Sequence, residues 1–278
     1  MTIRTDSAAN RRPHRKHLIR AFSGILAMLL TLALLPGCDG KQDASAKENA
    51  STKENASAKE NFCEKGIAAI EAKDYKTAVD CFTMGADKGD MDSLLMLSTC
   101  YHAGLGVEKD KEKAEELLEQ AAKAGNVTAM AGYGILLLDK RNKKKEGYEY
   151  LKKSAEQDCV LAEFALASFY AEDGENAKAV EFFEKLANRP LTDRKSLIDY
   201  MPGVADDMND LLKDDLKLKN PNTANFAIVM SQIMLGSAYA QGNAELKQDK
   251  KKAKEWLNKA KENGFAHADD FMRSLSLD

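Results

Sequence analysis

Along residues 111–125 the apolar and polar positions separate with the period of an α-helix. Ala114, Leu117, Leu118 and Ala121 fall at i, i+3, i+4 and i+7 and predict one buried stripe. Lys111, Glu112, Glu115, Glu116 and Glu119 take the remaining positions and predict a solvated face. Small residues at both ends of the stripe allow a neighbouring helix to approach closely. Gly125 follows Lys123-Ala124 and predicts a left-handed helix cap. Gly104 and Gly106 punctuate a turn between this helix and one before it, where a positive φ costs glycine little.

The same pattern returns along the chain in weaker form. It runs from Lys76-Thr-Ala78 through Phe82 to Gly89, from Gly147-Tyr148 to Ala155, and from Lys178-Ala179 to Ala187. The closing positions Gly89, Gly125 and Asp158 are 36 and 33 residues apart, the length of a two-helix repeat. One such hairpin cannot bury both of its faces, so successive units are expected to stack.

Two stretches carry the fuller pattern. The first has Leu97, Tyr101, Gly104, Gly106, Val107, Asp110, Lys113, Ala114, Ala121, Ala122 and Gly125. The second has Leu235, Gly236, Tyr239, Gly242, Asp249, Lys252, Ala253, Trp256, Lys259, Ala260 and Gly264. These residues resemble the Sel-1-like repeat, a helical hairpin of the tetratricopeptide-like superfamily. The resemblance covers roughly 62–187 and 223–264. It implies an all-α fold, a right-handed α-solenoid of stacked helix-turn-helix repeats. It also implies scaffold or adaptor work through protein–protein contacts. Four repeats are expected over 62–187, an irregular helical insert over 188–222, and a last repeat with a capping helix over 223–278. The insert carries Pro190, Pro202-Gly203 and Asn220-Pro221-Asn222, and as a departure from the repeat it is a candidate for specificity.

The N-terminal end follows another logic. Arg4, Arg11, Arg12, Arg15, Lys16 and Arg20 form a basic region ahead of an apolar run from Ala21 to Leu35. Fifteen helical residues reach roughly 22 Å, short of the ~30 Å hydrocarbon core, which favours a cleaved signal over a permanent span. The run ends in Leu35-Pro36-Gly37-Cys38, which resembles the lipobox of bacterial lipoproteins, with Pro36 as a departure. That resemblance implies a signal peptide over 1–37 and a lipidated Cys38. It places the chain in a bacterial cell envelope, anchored by lipid with its repeats on the periplasmic or extracytoplasmic side. Asp39 looks like an inner-membrane retention signal, but that rule varies between lineages and the choice of membrane stays open. Residues 38–61 contain three copies of a Ser-Ala/Thr-Lys-Glu-Asn unit with nothing large to bury, and they predict a solvated tether. A flexible chain of this length has an r.m.s. reach of roughly 25–30 Å.

Charge and composition narrow the function. The formal charge of the full chain is -3. Removing residues 1–37 takes away six basic residues and one acidic one, leaving a net charge of -8. An acidic body is not drawn to nucleic acid or to anionic lipid, so membrane attachment falls to the lipid anchor. Only His102 and His267 lie beyond the leader, and there is neither a His-Glu-x-x-His helix nor a Cys-x-x-Cys pair. No metal and no cofactor is expected. Cysteine-rich relatives of this repeat family have been linked to β-lactam binding or hydrolysis. This chain lacks their regular cysteine spacing, and none of its serines is followed three residues later by lysine. A non-enzymatic scaffold is therefore expected. The alternative is an envelope hydrolase or a cell-wall or polysaccharide-binding component.

Four cysteines follow the leader: Cys63, Cys81, Cys100 and Cys159. In a hairpin turning near Lys73-Asp74, Cys63 and Cys81 fall at similar heights on facing helices and form the candidate disulfide. Cys81–Cys100 pairing and free thiols remain open beside it. Cys100 matches Ala238 in the last repeat and is expected to be a small buried side chain. Tyr101, Tyr133, Tyr170 and Tyr239 read as packing residues, and no groove-lining residue is singled out.

Overall fold

The computed structural model describes residues 61–139, 143–192, 217–218, 222–243 and 245–277. The leader, Cys38 and the tether up to residue 60 lie outside the described residues, as does most of the insert. The described residues form eleven helices and no strand. They are α1 (Phe62–Glu71), α2 (Tyr75–Asp87), α3 (Met91–Ala103), α4 (Lys111–Lys123), α5 (Val127–Asp139) and α6 (Lys144–Ala155). Then follow α7 (Val160–Glu172), α8 (Asn176–Ala187), α9 (Thr223–Gln241), α10 (Lys250–Glu262) and α11 (Ala268–Ser274).

Short polar residues set the helix starts. The side chains of Asn61, Asp74, Asp110, Asn222 and Asp249 each accept a hydrogen bond from a backbone N–H in the first turn of the helix that follows. The repeat-closing residues turn the chain back. Gly89, Gly125 and Asp158 all take a left-handed backbone, with φ of 80°, 95° and 61°. Glycine adopts this freely, whereas at Asp158 the side chain gains compensating contacts with Arg189 and Lys185.

Helices pair in sequence as hairpins, and each hairpin packs on the next: α2 on α3, α4 on α5, α6 on α7 and α8 on α9. The two members of a hairpin differ in kind. The second helices, such as α4 and α10, bury a stripe of Ala and Leu and leave their charged face to water. The first helices sit between neighbours and are buried nearly all round, Leu161 to Tyr170 of α7 without a break. Crossings within hairpins use small residues. At Gly147 an added Cβ would lie 2.8 Å from the Gly134 carbonyl oxygen, so α5 and α6 meet at a distance only glycine permits.

No bridge joins Cys63 to Cys81 or Cys81 to Cys100; all three are buried free thiols. This corrects the candidate disulfide, and the reason is helical phase. The α1–α2 interface is set by the Phe82 ring lying under Gly66, and one residue earlier Cys81 points about 100° away around the helix. Cys63 instead lies within hydrogen-bonding reach of the Ser93 side chain at the start of α3. Burial, with Asp92 and Asp90 nearby, pushes its pKa up to about 12. Cys100 is fully buried, and burial alone raises it to about 12.

The last hairpin docks directly on the fourth, although some thirty residues separate them in sequence. The Thr192 N–H donates to the Asn225 side-chain oxygen at 2.8 Å, and the Asn225 amide donates back to the Thr192 carbonyl at 2.8 Å. The Asn222 amide reaches the same carbonyl at 2.8 Å. Both ends of the insert are thus pinned at one point. Further along, the Lys217 N–H donates to the Gly264 carbonyl at 2.8 Å, tying the returning chain to the end of α10.

Candidate functional site

Geometry draws attention to the junction between the fourth hairpin (α7–α8) and the last (α9–α10). Two ion-pair clusters fix it. In the first, Glu163 on α7 is wholly buried and meets Lys185 at 2.5 Å and Arg189 at 2.9 Å. Its register equivalent in α9 is Gln232, which donates to the Ala187 carbonyl at 3.1 Å. That carbonyl also accepts from Lys259 at 2.8 Å. The end of α8 is therefore clamped on both sides.

The second cluster joins α8 to the last hairpin. The Tyr239 hydroxyl donates to Glu184 at 2.6 Å, and Lys252 donates to the same carboxylate at 2.6 Å. Burial works against ionisation of Glu184, but the bonds from Lys252 and Tyr239 outweigh it and hold its pKa below the usual carboxylate value. Lys252 is raised by its bond to Glu184. The Lys252 ammonium also sits over the Tyr239 ring at 4.2 Å, as Lys178 sits over Tyr170 at 5.1 Å one hairpin earlier. The tyrosine and lysine of the repeat pattern thus serve each other. Tyr133, Tyr170 and Tyr239 are buried and Tyr101 half-buried.

Beside these clamps a cleft of about 450 Å³ opens between α8 and α9. Its floor is apolar, built from Ala179, Val180 and Phe183 of α8, Met234 of α9 and Leu246 beyond it. Its rim is polar, with Glu172, Asn176, Gln241 and Asn243. The size suits a side chain or short segment of a bound molecule. Burial, and then the charge of Asp173, push the Glu172 pKa upward. Glu245 accepts from the Ala177 N–H at 3.1 Å and so holds the rim to the start of α8. A sequence reading does not single out Val180, Met234 or Glu172. The signal that finds them is register: in repeat alignment Val180 stands where α6 has Tyr148.

No described helix is long and apolar enough to cross a membrane. Among the described residues no group of His, Cys, Asp and Glu could hold a metal ion. Cys63 and Cys81 lie in the first hairpin, far along the sequence from the cleft, and Cys38 lies outside the described residues.

The repeat pattern matches a known family. The Sel1 repeat matches residues 61–90, 92–126, 129–159, 160–190 and 229–265. Among solved structures, a protective antigen of uropathogenic Escherichia coli displaying an SLR fold is similar at 21% identity and a TM-score of 0.43. The match covers 74% of this chain and 46% of the antigen, so this chain spans less than half the antigen's length. A Sel1 repeat protein from Oxalobacter formigenes is similar at 19% identity and a TM-score of 0.42, covering 75% of this chain and 85% of that one. No curated protein matches.

Proposed function

The chain belongs to the Sel1 repeat family, and from that premise we infer that it is a membrane-anchored adaptor that binds a partner protein in the bacterial cell envelope. Sel1 repeat proteins generally act as scaffolds for protein interaction. The observation that carries the reading is the continuous stack of five matched repeats, with the last seated on the fourth. Stacked hairpins present an extended surface on which a peptide or helix of a partner can lie. The lipobox-like Leu35-Pro36-Gly37-Cys38 supports attachment through an acylated Cys38, with residues 39–61 as the tether.

The test is in-cell crosslinking followed by mass spectrometry of the intact protein, with Cys38→Ser as the unanchored control. The adaptor reading expects one recurrent protein partner, depleted in the control, and Cys38→Ser material lost from the membrane fraction. It is contradicted if no protein is enriched above background. It is equally contradicted if the chain binds saturably to cell-wall polysaccharide and that binding survives protease treatment of the bound fraction.

A further inference from the structure

The two junctions on either side of the fourth hairpin can be set in register by their helix starts and repeat matches. Tyr148 is the fifth residue of α6 and Val180 the fifth residue of α8. Tyr170 of α7 and Tyr239 of α9 are likewise equivalent, as the matches beginning at 160 and near 229 imply. That register puts Ala238 of α9 where α7 has Phe169.

At the earlier junction the Tyr148 ring stacks on Tyr170, with centroids 5.2 Å apart. Its hydroxyl donates to Asp173 at 2.8 Å, and Lys144 pairs with the same carboxylate. At the later junction Val180 stands where Tyr148 would and Ala238 where Phe169 would, and both line the cleft. By register, the cleft lies where the aromatic side chain of the earlier junction is missing. Its closing charges are missing too: Gly242 stands where Asp173 would, and Asn176 where Lys144 would.

The rim also has a sign. Glu172 is exposed and forms no ion pair among the described residues; Lys144, which pairs with Asp173, acts on it only through its charge. Glu245 adds a second carboxylate whose described bond is to a backbone N–H. Of the cations near the cleft, Lys178 is held by Glu175 and by the Tyr170 ring, whereas Lys247, next to Leu246, is exposed. An apolar floor beside the carboxylates Glu172 and Glu245 complements a ring carried between positive charges.

We propose that the α8–α9 cleft is a docking site for an aromatic side chain flanked by basic residues on a partner protein, the ring taking the place that Tyr148 fills one hairpin earlier. The proposal rests on the scaffold reading and specifies where and what it binds. Aromatic anchors in such pockets carry a large share of interface affinity, which makes a minimal peptide an adequate probe.

The probe is a pentapeptide with tyrosine at its centre, lysine on each side and glycine at both ends. It is titrated into the intact protein while chemical shifts are followed. Saturable binding is expected, weakened about tenfold or more when alanine replaces the tyrosine or glutamate replaces the lysines. Val180→Tyr, which refills the cleft from within, should weaken binding by about tenfold without lowering the melting temperature. Glu172→Lys, on the exposed rim, should weaken it by about threefold and flatten its salt dependence. The proposal is overturned if the peptide does not bind saturably, if the three peptides bind equally, or if folded Val180→Tyr binds as before. It is also overturned if sedimentation shows a dimer that Val180→Tyr dissolves, since the occupant is then a second copy of this chain. Crosslinking separates the two readings. A partner still captured by Val180→Tyr removes the cleft and leaves the scaffold, whereas no captured partner removes the scaffold whatever the peptide does.

Discussion

Burial at single residues decides more of this protein's chemistry than residue type does. Cys63 and Cys100 are thiols raised to about 12 by desolvation, so almost no thiolate exists near pH 8. Iodoacetamide at pH 8 should modify both slowly in the native protein and quickly in urea, and a non-reducing digest should contain no Cys63–Cys81 crosslinked peptide. Rapid native labelling, or that peptide, would count against the packing described. The same shifts set an alkaline limit. A thiol whose folded pKa stands above its unfolded value near 9 stabilises the fold below that pH, and the contribution is lost as pH rises toward 12. Each thiol should remove about 1.4 kcal/mol per pH unit in that window, and Tyr148, also raised by burial, acts in the same direction. Urea melts at pH 8, 9 and 10 test the sign. Glu163 is the other decisive residue. Glu163→Ala leaves Lys185 and Arg189 facing a void and should cost about 3 kcal/mol in urea denaturation. A cost below about 1 kcal/mol would mean that the cluster is only a surface pair.

At the scale of elements, the second helices of the hairpins were legible because one face is wet. Ala114, Leu117, Leu118 and Ala121 all sit in the buried stripe of α4, and Gly125 takes the left-handed conformation its position implies. The first helices show no such alternation, because Leu161–Tyr170 is covered on every side and contrast disappears when nothing is exposed. The disulfide pairing was misread for a related reason. Equal height on facing helices was visible in the spacing, whereas the phase set by Phe82 against Gly66 depends on packing. The cleft escaped notice because it lies where a ring is missing at Val180, and an absence is visible only after two junctions are set in register. Close packing also reverses a propensity rule. Replacing a mid-helix glycine with alanine usually stabilises by about 1 kcal/mol, yet at Gly147 the new Cβ meets the Gly134 carbonyl. Gly147→Ala should therefore destabilise by about 1–2 kcal/mol in thermal or urea melts. A stabilised variant would show that α5 and α6 cross less tightly.

For the whole molecule, the question is whether the last hairpin belongs to the same stack as the first four. Thr192, Asn222 and Asn225 close the insert at its base, and Gln232, Tyr239, Lys252 and Lys259 hold the last hairpin to α8. Within the insert, Leu218 also packs against the core and Lys217 bonds Gly264. Replacing 194–220 with two glycines loses the Lys217–Gly264 bond, worth about 1 kcal/mol, and the Leu218 contact, worth about 1–2 kcal/mol. It should lower the melting temperature by no more than about 10 °C with one cooperative transition. Two separate transitions would show that the insert joins the parts. Site-specific photocrosslinking in cells reads directly whether this stack meets a partner at its last junction. A photoreactive residue at Gln241, on the rim of the cleft, is compared with one at Glu116, on the solvated face of α4. The account predicts a discrete adduct of one partner protein from position 241, absent from position 116 and abolished by Val180→Tyr. Equal adducts from both positions, or none from position 241, would contradict it.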